Sequence, residues 1–248
     1  MRAVLRFLRW PLFALGVITL VAGLLIALNP GWIRVEAVQI ELAPDSKEFL
    51  LYQRIRSSLA PRLRRFEGQY FWEVPLNGVY EVAAQDRRVK RVTVRREFPV
   101  RLRLEVEPHT PVLDYISKDG RVYPLATDAT LLPAHTLADS SNLPFLRGEE
   151  LKDQAPLREA AIQLYSGIPE EGFLSRKTVS EIYYSKKSGF SLFVGGAASE
   201  VKIGDSDFGP KISRVQKVLS YLDSQGVKGR VIDARFSKKV VVRVRKAP

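Results

Sequence analysis

An uncharged apolar run from Trp10 to Leu28 constrains the fold of this chain more than any other feature. In a helix, its 19 residues would extend about 28 Å, close to the thickness of the hydrocarbon core of a bilayer. Three arginines precede the run, at Arg2, Arg6 and Arg9. The first charge after the run is Arg34. Because basic residues are retained on the cytoplasmic side during insertion, we expect a cytoplasmic tail over residues 1–9, a transmembrane helix over residues 10–28, and the rest of the chain outside the cytoplasm.

A cleaved signal peptide is the alternative interpretation of this segment. It shares the basic start and the apolar centre, but its apolar region usually spans only ~7 to 15 residues and ends at a cleavage site with small residues. The run here is longer, and its exit sequence Ala27-Leu28-Asn29-Pro30 has no small-x-small pattern. The sequence therefore favours an uncleaved anchor.

The composition limits the classes of partner and of chemistry. The chain has 248 residues, 46% of them hydrophobic, which is enough to form a core in one large or two small domains beyond the anchor. It has no cysteine, so a disulfide framework, a cysteine metal site and a cysteine nucleophile are excluded. The net charge of +12 would suit nucleic acid in a soluble chain. Outside the cytoplasm, anionic lipid headgroups, acidic wall polymers or an acidic protein are the expected counter-surfaces.

Residues 34–107 predict a small α+β module. An alternating strand over residues 33–41 precedes an amphipathic helix over residues 47–60, which Pro61 is expected to end. The remaining elements are a helix over residues 78–86, a strand through Val92 and Val94, a turn at residues 97–100, and a strand through Leu102, Leu104 and Val106. We expect the helices to pack on one face of the sheet.

Residues 108–248 predict a domain that is mostly sheet. Strands over residues 112–116 and 122–125 flank Asp119-Gly120, the signature of a hairpin turn, and residues 133–144 are typical of a loop. Further strands are predicted over residues 179–184, 190–194, 200–203, 230–236 and 239–245. Two helices interrupt them, over residues 156–165 and 210–224. We expect a mainly antiparallel β domain with flanking helices.

The residues that could perform catalysis are few. The chain has two histidines, His109 and His135, each in a loop that contains proline and without the spacing of metal ligands. The usual hydrolase and nucleotide motifs are absent, and Ser199-Glu200-Val201-Lys202 matches S-x-x-K only by letter. Asp205-Ser206-Asp207 is interpreted as the cap of the following helix. The sequence predicts no catalytic residue, metal site or cofactor.

Residues 87–103 are the densest concentration of charge, with eight basic residues and the single acid Glu97. By parity, four arginines fall on the solvent face of the predicted sheet, at Arg91, Arg95, Arg101 and Arg103. A solvated outer face is the default interpretation, and contact with anionic lipid or wall polymer is the alternative. No aromatic residues alternate with these arginines, which disfavours single-stranded nucleic acid as a partner.

The C-terminal segment Lys239–Arg245 is a candidate interaction strand. It is rich in valine and strongly β-prone, so it could lie at a sheet edge with main-chain groups free to pair with an extended partner. Lys238, Lys239, Arg243 and Arg245 would oppose pairing between copies of the chain. An internal strand remains the alternative.

Five segments, in this order, resemble the FtsQ/DivIB family of bacterial cell-division proteins. They are the stretch Val89–Pro99 with its aromatic-proline pair, Glu105-Val106-Glu107-Pro108, Asn142–Gly148, Val201-Lys202-Ile203-Gly204, and Val231-Ile232-Asp233-Ala234-Arg235-Phe236. The resemblance covers nearly the whole chain. It implies an α+β chain with a single N-terminal transmembrane helix, a POTRA-like domain over residues 34–107 and a β domain over residues 108–248.

The family resemblance also implies a function. It indicates a bitopic scaffold of the inner membrane, with a cytoplasmic N-terminus and a periplasmic bulk, that acts at the division septum, binds FtsB and FtsL, helps control septal wall synthesis and is not an enzyme. In the family the late β region engages FtsB by strand addition, and the matching positions are Arg235, Phe236, Val240, Val241, Val242, Arg243 and Val244. Phe236 stands where the family commonly has tyrosine. Two alternatives stay open, a membrane-anchored adaptor that binds anionic lipid or polymer and an unrecognised cell-wall enzyme.

Overall fold

The computed structural model describes residues 13–25, 33–136, 142–194, 199–227 and 229–244. Helix α1 covers residues 13–25, and the predicted tail and both ends of the predicted apolar helix lie outside the described residues. Within the described ranges, no helix is long and apolar enough to cross a membrane. The transmembrane helix over residues 10–28 therefore stays a prediction. The chain divides into two compact units, Met1–Pro108 and His109–Pro248, here called unit 1 and unit 2.

Unit 1 has the element order strand, helix, helix, strand, strand beyond α1. The elements are β1 (Ala37–Leu42), α2 (Phe49–Leu63), α3 (Leu76–Ala84), β2 (Val89–Glu97) and β3 (Arg101–Pro108). The three-stranded sheet has the order β1-β3-β2, with β1 parallel and β2 antiparallel to β3. This order agrees with the order predicted from the sequence.

The core of unit 1 lies between this sheet and α2 and α3. Leu102, Leu104 and Val106 alternate along β3 and are fully buried, as the predicted parity requires. The prediction that Pro61 ends α2 is wrong, since the helix continues to Leu63. Because Leu63 and Phe66 of the following 3-10 turn are both buried, packing stabilises the chain beyond the proline.

The described residues of unit 2 form one eight-stranded sheet. The strands are β4 (Pro111–Ile116), β5 (Val122–Ala126), β6 (Phe145–Arg147), β7 (Val179–Ser185), β8 (Gly189–Val194), β9 (Ser199–Gly204), β10 (Gly229–Asp233) and β11 (Val241–Val244). The helices are α4 (Ala155–Gly167) and α5 (Phe208–Ser224). The strand order is β11-β10-β9-β8-β7-β6-β4-β5.

The predicted α+β class is confirmed, but the sheet of unit 2 is more mixed than the sequence suggested. Four neighbouring pairs are antiparallel and three are parallel, namely β4 with β6, β6 with β7, and β9 with β10. The last two parallel pairs are joined through α4 and α5 respectively, because parallel neighbours need a long crossover connection. Strand β6 was not predicted, since three residues are too few to show an alternation.

One continuous row of side chains crosses the helix-covered face of this sheet. Paired residues on neighbouring strands form it, in the order Tyr115, Leu146, Ile182, Leu192, Val201, Ile232 and Val242. The first six are at most 3% exposed. Buried residues of α4 and α5, including Leu164 and Val215, belong to the same core. The row ends at Val242, which is only half-buried.

Candidate functional site

Strand β11 forms one end of the eight-stranded sheet. It pairs antiparallel with β10, and within the described part of the chain no strand lies on its other side. Val242 lies opposite Ile232, with Val241 opposite Asp233 and Arg243 opposite Val231. The predicted interaction strand is therefore an edge strand within the described residues.

The neighbouring strands fix the direction of the main-chain groups of β10. The amide of Ala234 donates to the carbonyl of Lys202 at 2.9 Å, where β10 runs parallel to β9. Main-chain groups of successive residues in a strand point to opposite sides. Ile232 therefore directs its N–H and C=O towards β9, and Val231 and Asp233 direct theirs towards β11.

The same alternation gives the direction of the main-chain groups of β11. Val241 and Arg243 lie opposite Asp233 and Val231, so their N–H and C=O groups face β10. Val242 and Val244 then direct their N–H and C=O groups to the open side of the sheet. These outward groups can bond to an added strand without any change in the existing ladder.

The side chains of β11 are unequally buried. Val241 and Val244 are 41% and 54% exposed, and Arg243 is also exposed. The prediction that Val240 belongs to the strand is wrong, because β11 begins at Val241. Val240 is half-buried and packs against the core instead, which removes most of its side chain from contact with a partner.

Arg235 lies just beyond the end of β10, which stops at Asp233 rather than at Phe236 as predicted. Its Nε and Nη2 atoms donate to the two carboxylate oxygens of Asp233 at 2.9 and 2.6 Å. This bidentate bond lowers the pKa of Asp233 and raises the pKa of Arg235. Arg235 thus enters any interface with its charge already paired.

Phe236 lies in the linker between β10 and β11, which spans residues 234–240, and its side chain is 44% exposed. The ammonium of Lys239 lies 5.2 Å from the centroid of its ring. Arg214 of α5 donates from Nη1 to the carbonyls of Phe236 and Ser237 at 2.9 and 2.6 Å. Arg214 therefore holds the linker against the helix by hydrogen bonds. The residues around Arg214 in the chain give no indication of this role.

The four arginines predicted to face solvent lie on the face of the sheet of unit 1 opposite the buried residues of β3; they are Arg91, Arg95, Arg101 and Arg103. Arg103 contacts Glu97 at 2.5 Å and Glu41 of β1 at 3.6 Å. Arg91 lies 3.6 Å from Glu107. The expectation of a markedly positive face is thus weakened, because acids from other strands neutralise part of it.

Within the described residues, Arg95 and Arg101 make no salt bridge. Arg95 lies directly opposite Arg103, and Arg101 lies opposite Glu97. The predicted contact with anionic lipid or polymer therefore depends mainly on these two arginines, and it stays a prediction.

Each of the two histidines contacts an oxygen atom of another residue of unit 2. Nδ1 of His109 lies 3.3 Å from a carboxylate oxygen of Asp128, and Nδ1 of His135 lies 2.9 Å from the carbonyl of Thr136. No group of three or more acids or histidines that could hold a metal ion occurs in the described ranges.

The prediction that the side chains of Asp205-Ser206-Asp207 cap α5 is wrong for Asp207, the residue at the N-cap position. Asp207 occupies the N-cap position, but its φ of 54° places it in the left-handed region and its side chain makes no capping hydrogen bond. The buried Lys211 donates instead to the carbonyl of Ser206 at 2.6 Å. A lysine of the helix thereby fixes the turn that leads into it.

A family model described as the C-terminal part of cell division protein FtsQ/DivIB matches residues 114–235. The matched region runs from β4 through the end of β10 and stops at Arg235. Phe236 and β11 lie beyond it, so the comparison does not extend to the edge strand.

Curated relatives give a consistent result. The chain is 29% identical to the cell division protein FtsQ of Geobacter sp. (strain M21) over 183 residues, which cover 71% of this chain and 66% of the relative. It is 26% identical to the FtsQ of Geotalea daltonii over 185 residues, again 71% of this chain and 66% of the relative. Each match spans just under two thirds of the relative's length. With the family model and the relatives in agreement, residues 114–235 of the chain belong to the FtsQ/DivIB family of cell-division proteins.

Proposed function

We propose that this protein is a non-catalytic docking scaffold of the divisome, which binds FtsB, together with FtsL, and helps control septal wall synthesis. Strand addition at β11 forms the contact with FtsB. The observation that supports this proposal is the open edge of the sheet, where Val242 and Val244 direct main-chain groups away from β10. The similarity to cell-division proteins supports a divisome protein as the partner of this edge.

The scaffold is held in the inner membrane by the apolar run over residues 10–28, with its N-terminus in the cytoplasm and its bulk in the periplasm at the septum. The arginines before the run support this orientation. The side chains of α1 support insertion into the membrane itself, since apolar residues such as Phe13 and Leu20 are 73% and 72% exposed. Residues 34–107 form the POTRA-like domain and residues 108–248 the β domain of this scaffold.

The open edge favours an extended partner over other kinds. An added strand would bond to the outward groups of Val242 and Val244, and the main chain would supply affinity while alternate side chains supply selectivity. Lys238, Lys239 and Arg243 bring positive charge to the same edge, which opposes pairing between two copies of this chain. These features favour a different protein as the added strand.

The test compares Val242→Pro with Val242→Ala in the full-length protein. Proline removes the outward N–H of residue 242 and places its ring where the added strand would lie, whereas alanine keeps the N–H. Loss of one main-chain hydrogen bond of about 1 kcal/mol, with the steric conflict added, should weaken FtsB binding by about tenfold or more. The alanine variant should bind almost as the parent does.

The measurement is the dissociation constant for FtsB, with thermal unfolding measured in parallel. Val241→Pro is the matched control, because its N–H faces β10 and its loss should lower the stability of the sheet itself. Equal binding of FtsB by the parent, Val242→Ala and a folded Val242→Pro protein would refute strand addition at this edge.

A further inference from the structure

Three exposed aromatic side chains lie at one end of unit 1. Tyr70, Trp72 and Phe98 are 41%, 63% and 79% exposed. We call this group the aromatic end. Its large rings face solvent although the unit has a well-buried core of its own.

Several contacts bring the loops that carry these rings close to the start of β1. The guanidinium of Arg34 lies 4.7 Å from the ring centroid of Tyr70, and the two residues also form a β-bridge. Arg96 of β2 donates to the carbonyl of Trp72 at 3.4 Å. Phe98 follows two residues later, in the turn between β2 and β3.

The sheet of unit 1 gives this end a direction. Strands β1 and β3 run parallel, so both begin at the aromatic end, where the amide of Glu36 donates to the carbonyl of Val100 at 2.9 Å. Both strands end at the opposite end, where Leu42 pairs with Val106. Helix α2 begins near that opposite end, since the hydroxyl of Tyr52 in its first turn donates to the carbonyl of Ile40.

The length of chain before β1 indicates what covers the aromatic end. The apolar run stops at Leu28, and Ile33 already packs against the buried core of unit 1. Five steps of chain reach at most about 17 Å in any conformation. If residues 10–28 span the bilayer as proposed above, Ile33 must lie within about 17 Å of the hydrocarbon boundary and Arg34 within about 20 Å, in or just outside the headgroup layer.

The chemistry of the aromatic end suits that layer. Tyrosine and tryptophan are enriched where the membrane meets water, because their rings combine an apolar body with a polar group. Arg34 lies against the Tyr70 ring and donates to the carbonyl of Gly68 at 2.9 Å, and the exposed Arg64 and Arg65 precede Tyr70 in the chain by six and five residues. Arginines can donate to lipid phosphates in this position.

We propose that the aromatic end of unit 1 rests on the outer surface of the membrane, with Tyr70, Trp72 and Phe98 in the headgroup layer. This inference rests on the proposed membrane anchor. The contact holds unit 1 upright on the bilayer, because β1 and β3 then lead away from the membrane.

The test uses the full-length protein in nanodiscs of phosphatidylethanolamine and phosphatidylglycerol that contain lipids with a nitroxide on the headgroup. The chain has three tryptophans, Trp10, Trp32 and Trp72. Replacing two of them by phenylalanine leaves single reporters at Trp10 or Trp72. Leu50→Trp in a background without the other three is the control, because Leu50 is 80% exposed at the opposite end of unit 1.

We expect the nitroxide lipids to quench the fluorescence of Trp10 and Trp72 strongly and that of residue 50 weakly. Quenching of Trp10 with a Trp72 signal equal to that of residue 50 would overturn the membrane contact and leave the anchor intact. Absence of quenching at Trp10 would overturn the anchor, and the inference with it. The two failures are therefore distinguishable in one set of samples.

Discussion

Replacing Arg214 by alanine tests whether a single side chain of α5 holds the linker before β11 in place. Nη1 of Arg214 donates to the carbonyls of Phe236 and Ser237 at 2.9 and 2.6 Å, and the bend that these carbonyls belong to is exposed. The substitution removes both bonds, and alanine is compatible with the helix.

The expected magnitude follows from the exposure of this contact. Hydrogen bonds to charged groups contribute about 1.5–3 kcal/mol when they are buried, but water can replace the lost donor here, so we expect about 1 kcal/mol for the pair. The linker should then open about fivefold more often, with a fivefold faster amide exchange if exchange proceeds through local opening. Binding of a strand at β11 should weaken by a similar factor, because the partner must order the linker again.

Hydrogen exchange measured by mass spectrometry on peptides from residues 234–244 provides the assay. Lys217→Ala is the control, because Lys217 is an exposed basic residue on the same helix and its replacement removes the same charge. Equal exchange of the linker in the two variants would refute the role of Arg214. An increase spread over all strands of unit 2 would also refute it, because it would indicate global rather than local destabilisation.

Two further predictions concern stability. Arg96 donates to three main-chain carbonyls between residues 71 and 74, so Arg96→Met should lower the free energy of unfolding by about 2–3 kcal/mol, whereas Arg95→Met should change it little in the same urea titration. The bond from Arg235 lowers the pKa of Asp233 below its unfolded value of 3.8, so its stabilising effect is present above that pH and is lost as the pH falls through the folded pKa. The difference in stability between the parent and Asp233→Asn should therefore shrink as the pH falls below 3.8, and a difference independent of pH would contradict this reasoning.

The helices and most strands could be predicted because their signals are local. Alternation along β3 places Leu102, Leu104 and Val106 in the core, and the recurrence of apolar residues predicts α2 and α5 to within a few residues of their observed ends. Burial against a neighbouring element produces these periodicities, so the sequence records them directly.

The contacts that decide the chemistry of the surfaces could not be predicted in this way. The basic segment shows one acid in sequence, but Glu41 reaches Arg103 from a strand about 60 residues earlier, through the parallel pairing of β1 with β3. Arg214 contacts a linker more than 20 residues away. Pairings over such distances depend on topology, which no local pattern specifies.

The aromatic end shows a related limit. Tyr70, Trp72 and Phe98 lie in two separate loops, and each alone is an ordinary exposed aromatic residue. The contacts of Arg34 and Arg96, together with the hydrogen bond from Glu36 to Val100, reveal that these loops lie at the same end of the sheet. Spatial grouping makes the three rings a candidate surface.

At the edge of the unit 2 sheet, Val242 has both a partly exposed apolar side chain and main-chain groups that face away from the sheet. The buried row of side chains ends at Val242, which has one neighbouring strand among the described residues, and the main-chain groups of the same residue face outward. An added strand would bury more of Val242 and satisfy its N–H and C=O groups together, so the apolar and hydrogen-bonding contributions would reinforce each other. A partner that bound only to exposed side chains such as Phe236 would gain the first contribution in part and the second not at all. We therefore expect main-chain pairing at Val242, rather than contact with Phe236, to dominate the affinity.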